Sequence, residues 1–392
     1  FNLESGIAID TGKLDTDNTL FDRRAVVGLA GGFGQVVAGR TFTTTYDFML
    51  PYDPMGYAPN YSWATSSTAT GDRKDGLFSR ASNAVRYDGT FGGLKLGAIR
   101  ELRKIAASRN FSFCIAHRFK PIYIALLATG LPVIGVHHAF GDYQRRSRKL
   151  FAHLFRKRLS LLGVSDAVRD DMRKCLPKWP AGRINTLYNR IDIDAVQAGQ
   201  LSGTPAREAL GLSVDGFIVG NVGRLHPDKD QATLIRGFAL ALPNLPTDSQ
   251  LVIMGKGRLE EDLKELSNEL GIGDQVLFLG QVPDARRYFR AFDVFALSSD
   301  HEPFGMVLLE AMAAGLPIIA SQLPAHSDLI THDRTGLLCA SQQEYADALA
   351  ELEQHEANSR IGAAAREWVM QELGTWDDCA ARYAHIYRQL QE

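Results

Sequence analysis

Cysteine is scarce in this chain, and its placement excludes two classes of protein. Cys114, Cys175, Cys339 and Cys379 are scattered without a CxxC pair, so the spacing supports neither a zinc site nor a disulfide framework. Cysteines of that kind fit a reducing, cytoplasmic setting. Long apolar runs are missing too, none approaching the roughly 18 residues that a membrane-crossing helix needs. The opening FNLESGIAID has neither a basic start nor an apolar core, so no secretory signal is expected there. Charge of one sign is also lacking. Lys and Arg number 43 against 45 Asp and Glu, a net charge of −2, which argues against bulk nucleic-acid binding. No cluster of His, Cys, Asp or Glu has metal-ligand spacing, so no metal is expected. What is present suffices for a large core: 392 residues with 45% hydrophobic content predict two or three domains.

The chain changes character near residue 98. All 10 His and all 4 Cys lie beyond that point, while 14 of the 36 Gly lie before it. The first segment reads as short strands joined by glycine turns: RAVVGLA (24–30), GGFG (31–34), QVVAGRT (35–41), SNAVRYDGT (82–90) and FGGLKLGA (91–98). That pattern predicts a β-meander or part of a barrel. Beyond the break, FSFCIA (111–116), LPVIGV (131–136), FIVGNV (217–222), QLVIMG (250–255), VLFLG (276–280), VFALSS (294–299) and PIIAS (317–321) alternate with helical or loop stretches. This is the rhythm of parallel α/β sheets.

LESGIAIDTGKL, FDRRAVVGLAGGFGQVVAGR, TYDFMLPYDPMG and NAVRYDGTFGGLKLGA together resemble a Gram-negative outer-membrane general porin. The resemblance implies an inward loop whose acids, Asp47 and Asp53, face arginines on the wall, Arg24, Arg40 and Arg80. Solvated hairpin charges are the alternative. A few strands cannot close such a barrel, and open edges are poorly tolerated, so a working channel is not expected.

Two motifs in the α/β part carry chemistry. In VGNVGRLHPDK (219–229), Gly223 ends a strand and lets backbone approach a ligand without a Cβ. Arg224 can fork onto phosphate oxygens and Lys229 adds a point charge, together offsetting a diphosphate. In EPFGMVLLEAMAAGLP (302–317), Pro303 and Gly305 lead into a helix running to about Ala314. The amides of Phe304, Gly305 and Met306 would be free at that helix start, a seat for an anion. Glu302 lies just before the helix and Glu310 within it.

On these motifs residues 99–392 resemble family 4 retaining glycosyltransferases of the GT-B fold, two Rossmann-like domains facing a cleft. The expected layout is a porin-like β-rich segment (1–98), a partial acceptor-side domain (99–196), a nucleotide-sugar domain (197–375) and a closing helix (376–392) packing back on the first domain. The resemblance implies a truncated first Rossmann-like domain: strand candidates stand near 111, 132, 159 and 184, porin-like sequence occupies the place of the family's opening strand and glycine-rich loop, and the chain reads as a chimera. The resemblance implies transfer from a nucleotide diphosphate sugar, without metal and with retention, to a saccharide or lipid-linked acceptor of a cell-surface polysaccharide or lipopolysaccharide core. It gives Glu302 the sugar hydroxyls, Glu310 the ribose, Gly255 in MGKGR the turn below the nucleotide, and Gln281 and Val282 the base. Within HHAFG (137–141) it favours His138, near the sugar, over His137. Ser165 is read as a helix cap, and Asn189 and Asp192 as shaping the turn into the linker. Two other readings stand beside this one: a nucleotide-binding remnant made inactive by its hybrid start, and a porin-derived outer-membrane protein.

Between Tyr143 and Leu162 stand seven Lys or Arg and no acid, with Leu150, Phe151, Leu154 and Phe155 interleaved at helical spacing. This predicts a basic amphipathic helix. It either rests on an anionic membrane, making the protein peripheral at the inner membrane, or packs one face on the core and solvates the other.

Overall fold

The computed structural model describes residues 2–4, 24–31, 34–42, 80–88, 90–91, 94–374 and 376–391. The chain divides into two compact units, Phe1–Gly135 and Val136–Glu392.

In the first unit β1 (Asn2–Glu4), β2 (Arg24–Gly31), β3 (Gly34–Phe42) and β4 (Arg80–Asp88) form an antiparallel sheet in chain order. Register runs from Gly31↔Gly34 to Ala25↔Arg40 across β2 and β3, and from Gln35↔Asp88 to Phe42↔Arg80 across β3 and β4. Val26 is buried and Val27 exposed, the alternation that a two-faced strand requires. Asp47 and Asp53 lie outside the described residues, while Arg24, Arg40 and Arg80 stand on β2, β3 and β4.

The expected strand over 91–98 is corrected. A short hairpin of β5 (Thr90–Phe91) and β6 (Leu94–Lys95) gives way at once to α1 (Leu96–Ser108), so the change of character at 98 falls inside a helix. Ile99 and Leu102 recur at helical spacing and pack on Ile124 and Ala128 of α2 (Phe119–Ala128). Helical burial therefore wins over the alternation. Arg103 ties the pair by donating from Nε to the carbonyl of Ala128 at 3.3 Å. Before α2 stands β7 (Cys114–His117), and β8 (Val133–His137) follows it.

The second unit opens with α3 (Arg146–Leu154), β9 (Leu159–Gly163), α4 (Asp166–Cys175) and β10 (Ile184–Thr186), β9 and β10 pairing in parallel. The basic helix expected over 143–162 is shortened to α3, and the strand expected near 159 follows it as β9. Leu159, Leu161 and Leu162 are wholly buried in β9, and a strand that buries its residues on both faces cannot continue a helix. Ser165 caps α4 by accepting from the amide of Val168, and Asp192 caps α5 (Ile193–Gly199) by accepting from that of Ala195. α6 (Gly203–Leu210) follows.

Next comes a six-stranded parallel sheet. Its strands are β11 (Ile218–Val222), β12 (Gln250–Met254), β13 (Val276–Gly280), β14 (Val294–Leu297), β15 (Ile318–Ser321) and β16 (Leu337–Cys339). Their spatial order is β13-β12-β11-β14-β15-β16. That is the doubly wound order, and it reverses direction between β11 and β14. The helices between these strands are α7 (Gln231–Ala241), α8 (Glu260–Glu269), α9 (Met306–Ala314) and α10 (Pro324–Ser327), and α11 (Gln342–Glu353), α12 (His355–Glu372) and α13 (Trp376–Gln391) follow the last strand. One face of the sheet carries a large core, with Val219, Leu251, Ile253, Phe238 and Leu349 among its fully buried members. α13 lies against β9.

Candidate functional site

Loops leaving β11 and β14 flank the point where the sheet reverses, and ligands of open α/β sheets bind in that crevice. The β11 loop carries Gly223, Arg224 and Lys229; the β14 loop carries Ser298 to Gly305. Hydrogen bonds stitch the two together. The amides of Asp300 and His301 donate to the carbonyl of Asp228 at 3.2 and 3.4 Å, and Ser298 Oγ donates to the carbonyls of Asp230 and Lys229 at 2.8 and 3.2 Å. Across the seam Lys229 Nζ donates to Glu302 Oε2. These side chains are only 18% and 11% exposed, so the pair is sheltered from water, and Ser299 Oγ adds a longer bond to the same carboxylate oxygen at 3.5 Å. Arg224 is exposed at the rim.

The glycines of this crevice have separate reasons. A Cβ on Gly255 would lie 1.8 Å from the carbonyl oxygen of Gly223, and its φ is +154°. Its amide donates to Gly280 at 2.8 Å while Gly223 donates to Met254 at 2.9 Å. The MGKGR turn thus presses on the β11 loop backbone to backbone. Around Gly223 nothing stands within 4 Å of where a Cβ would be. Space there is open to a ligand.

α9 starts at Met306, preceded by Gly305 in the left-handed region at φ 93°. Helix geometry leaves the amides of its first turn without partners inside the helix. Phe304 is buried and its ring stacks on Tyr188 at 6.1 Å. Glu310 is half-buried, and burial pushes its carboxyl above the usual range, with Arg286 opposing the shift and Asp284 adding to it. It therefore sits in the field of the turn after β13, where Gln281 is exposed and Val282 half-buried.

The HHAFG segment divides its two histidines. His137 is wholly buried; its Nδ1 meets Asp142 Oδ2 at 2.7 Å and its Nε2 meets the hydroxyl of Tyr143 at 3.2 Å. Asp142 also accepts from Arg148 at 2.9 Å. Its carboxyl is held below the usual range: burial acts to raise it, but the bonds and charges of His137 and Arg148 together outweigh burial. His138 is half-buried. Phe140 sets its ring edge-on to His301, next to Glu302, with centroids 5.2 Å apart.

Several residues here escaped the sequence reading. Ser298, Ser299 and His326 are buried polar groups near the Lys229–Glu302 pair, and Ser321 beside them is half-buried. Asp328 accepts from the amides of Asp166 and Ala167 at 2.8 and 3.3 Å. Serines at strand ends have no spacing signature, and a histidine in PAHSD looks like any surface turn. Among the described residues no group of three His, Cys, Asp or Glu is placed to hold a metal ion.

Comparison with known proteins identifies the domain built around this crevice. Residues 204–368 match the family model of Glycosyl transferases group 1. A second model, Gram-negative porin, matches residues 1–109. Among curated relatives, a GDP-mannose-dependent alpha-(1-6)-phosphatidylinositol monomannoside mannosyltransferase of Mycobacterium tuberculosis is 33% identical over 53% of this chain and 57% of its own length. A D-inositol 3-phosphate glycosyltransferase of Corynebacterium urealyticum is 32% identical over 53% of this chain and 51% of its own. The chain thus spans little more than half the length of these relatives. Solved structures share the fold of the glycosyl transferase domain and its flanks. Alr3699/HepE of Anabaena, crystallised with UDP and glucose, superposes with a TM-score of 0.63 at 22% identity, covering 73% of this chain and 80% of its own. A glycosyltransferase of Rickettsia africae gives a TM-score of 0.66 at 17% identity, covering 76% of this chain and 81% of its own. The α/β architecture is GT-B-like, with parallel sheets.

Proposed function

We propose that the chain is a glycosyltransferase that moves a sugar from a nucleotide diphosphate sugar to a saccharide or lipid-linked acceptor, with retention of configuration. The observation that carries this is the sheltered Lys229–Glu302 pair at the sheet's reversal point, beside the open backbone at Gly223. A cation and a carboxylate held together suit a ligand that has phosphate at one end and hydroxyls at the other. On binding, the diphosphate takes Lys229 and the exposed Arg224, and Glu302 turns to the sugar. The start of α9, at Phe304, Gly305 and Met306, adds amides to the phosphate, and Glu310 takes the ribose. Gly255 supports the turn beneath, Gln281 and Val282 border the base, and His138 reaches the sugar.

In this reading the developing charge on the leaving phosphate falls on Arg224, Lys229 and the helix start, with no metal required. Retention follows if the acceptor hydroxyl attacks from the leaving group's own side and gives its proton to that phosphate. A cell-surface polysaccharide or lipopolysaccharide core fits such an acceptor. The test is transfer of labelled sugar from UDP- and GDP-sugars to a lipid and saccharide extract. Lys229→Met should lower turnover by about 10²- to 10³-fold, the usual cost of removing one donor that stabilises developing charge. Unchanged turnover in that variant would remove Lys229 from the mechanism.

The acceptor side has its own feature. Arg146, Leu150 and Leu154 recur at four-residue intervals on α3, and the leucines are 74% and 76% exposed. Arg145, Arg156 and Lys157 are exposed nearby. We read this as a contact with an anionic membrane that carries the lipid-linked acceptor. Sedimentation with phosphatidylglycerol vesicles, but not phosphatidylcholine vesicles, should be lost in Leu150→Glu/Leu154→Glu; equal sedimentation with both lipids would contradict it. The porin-like segment has no part in the proposed chemistry.

A further inference from the structure

His326 stands on α10 with its side chain wholly buried. Nδ1 lies 2.8 Å from the carbonyl of Ser321 and so carries the proton that it donates there. Nε2 is then an acceptor, and among the described residues no group bonds to it. Burial pushes the imidazole below its ordinary pKa, so it is neutral near pH 7. A buried acceptor without a partner is destabilising. Packing alone would be better served by a leucine. The histidine instead connects to the site. Ser321 Oγ, 3.3 Å from His326 Nδ1, donates to the carbonyl of Ser299, and Ser299 Oγ donates to Glu302 Oε2 at 3.5 Å. Of the charged groups, Glu302 and Lys229 are the ones whose fields reach the imidazole.

We propose that His326 is a positioning residue for sugar recognition: it fixes Ser321 and, through Ser299, sets the conformation in which Glu302 meets the sugar hydroxyls. This rests on the reading of Glu302 given above. A leucine at 326 leaves the carbonyl of Ser321 without its donor and frees the Ser321 hydroxyl to turn, so Ser299 and Glu302 lose their fixed orientation. An asparagine keeps an N–H close to the position of Nδ1 and preserves it.

The test needs no turnover. Calorimetry compares UDP-glucose with UDP, and GDP-mannose with GDP, and the ratio of the two affinities isolates the sugar. The wild-type chain is expected to prefer one sugar nucleotide over its bare nucleotide by at least tenfold, and Glu302→Gln to abolish the preference. His326→Leu should reduce it at least fivefold while the bare nucleotide binds within twofold of wild type. His326→Asn should restore it. In the Glu302→Gln background His326→Leu should cost nothing more, because residues that act through one another do not add. A sugar preference unchanged in His326→Leu, equal losses in the Leu and Asn variants, or additive losses in the double variant would overturn the proposal. Absence of any sugar preference in the wild type, or its survival in Glu302→Gln, would instead overturn the reading of Glu302 and the positioning role with it. Melting temperatures of all variants separate misfolding from loss of recognition, and a destabilised His326→Leu leaves His326→Gln, which lacks the Nδ1 donor, to make the same comparison.

Discussion

Glu302 and Lys229 neutralise each other across the seam of two loops, and this gives one substitution two opposite effects. Glu302→Gln frees Lys229, so a bare nucleoside diphosphate should bind several-fold more tightly, the equivalent of about 1 kcal/mol for a sheltered pair. Sugar transfer should fall at least about 10²-fold. Calorimetry and a turnover assay read the two halves, and weaker nucleotide binding would contradict the account. Glu310 behaves differently. Its pKa in the folded protein is raised, chiefly by burial, so its stabilising contribution is present below the ordinary value of 4.5 and is lost as pH rises through the raised one. The ionised carboxylate thus destabilises the ligand-free protein at neutral pH. Glu310→Gln should raise the melting temperature at pH 7, with the gain vanishing near pH 4, and should weaken nucleotide binding. A lower melting temperature at pH 7 would show that the carboxylate is compensated. The sequence singled out Lys229 and Glu302, which the structure brings together, and Glu310, because residue types suited to phosphate and hydroxyls stand there beside a strand end and a helix start. Ser299, Ser321 and His326 were not. Their role depends on who sits near Glu302, which only the packed sheet decides.

At the scale of elements, two glycines of one crevice separate packing from function. Gly255 has no room for a Cβ against Gly223, so Gly255→Ala should cost about 2–4 kcal/mol through strain and a displaced loop. Gly223 has open space around it. Gly223→Ala should leave the melting temperature within about 1 °C yet weaken nucleotide binding about tenfold, since its methyl would meet only ligand; a stability loss as large as that of Gly255→Ala would refute this reading of the gap. Long apolar strands such as FIVGNV and VFALSS were visible because burial on both faces leaves a continuous apolar run. β16 escaped notice: LLC is three residues long and nothing in its pattern distinguishes it from a loop. α1 was misread because FGGLKLGA alternates like a strand, whereas the partner that makes it helical, α2, lies more than twenty residues further on. α3 was drawn too long for the complementary reason, since the leucines from Leu159 belong to a buried strand, and helical spacing continues by chance into it.

For the molecule as a whole, the central claim is that the domain over 204–368 holds a nucleotide diphosphate sugar where its sheet reverses between β11 and β14. The porin-like match over 1–109 and the transferase match over 204–368 cover separate stretches, and only the second contains the groups that this claim requires. The most direct measurement is a thermal-shift series with UDP, GDP and ADP and their hexose derivatives, run on the full chain and on Glu310→Ala. A ligand at about 100 times its dissociation constant adds roughly 2.7 kcal/mol. The account predicts a rise in melting temperature with one nucleotide class, larger for its sugar derivative at equal concentration and lost in Glu310→Ala. A wild-type chain that melts cooperatively and shifts with none of them, or that shifts equally in the variant, would contradict it.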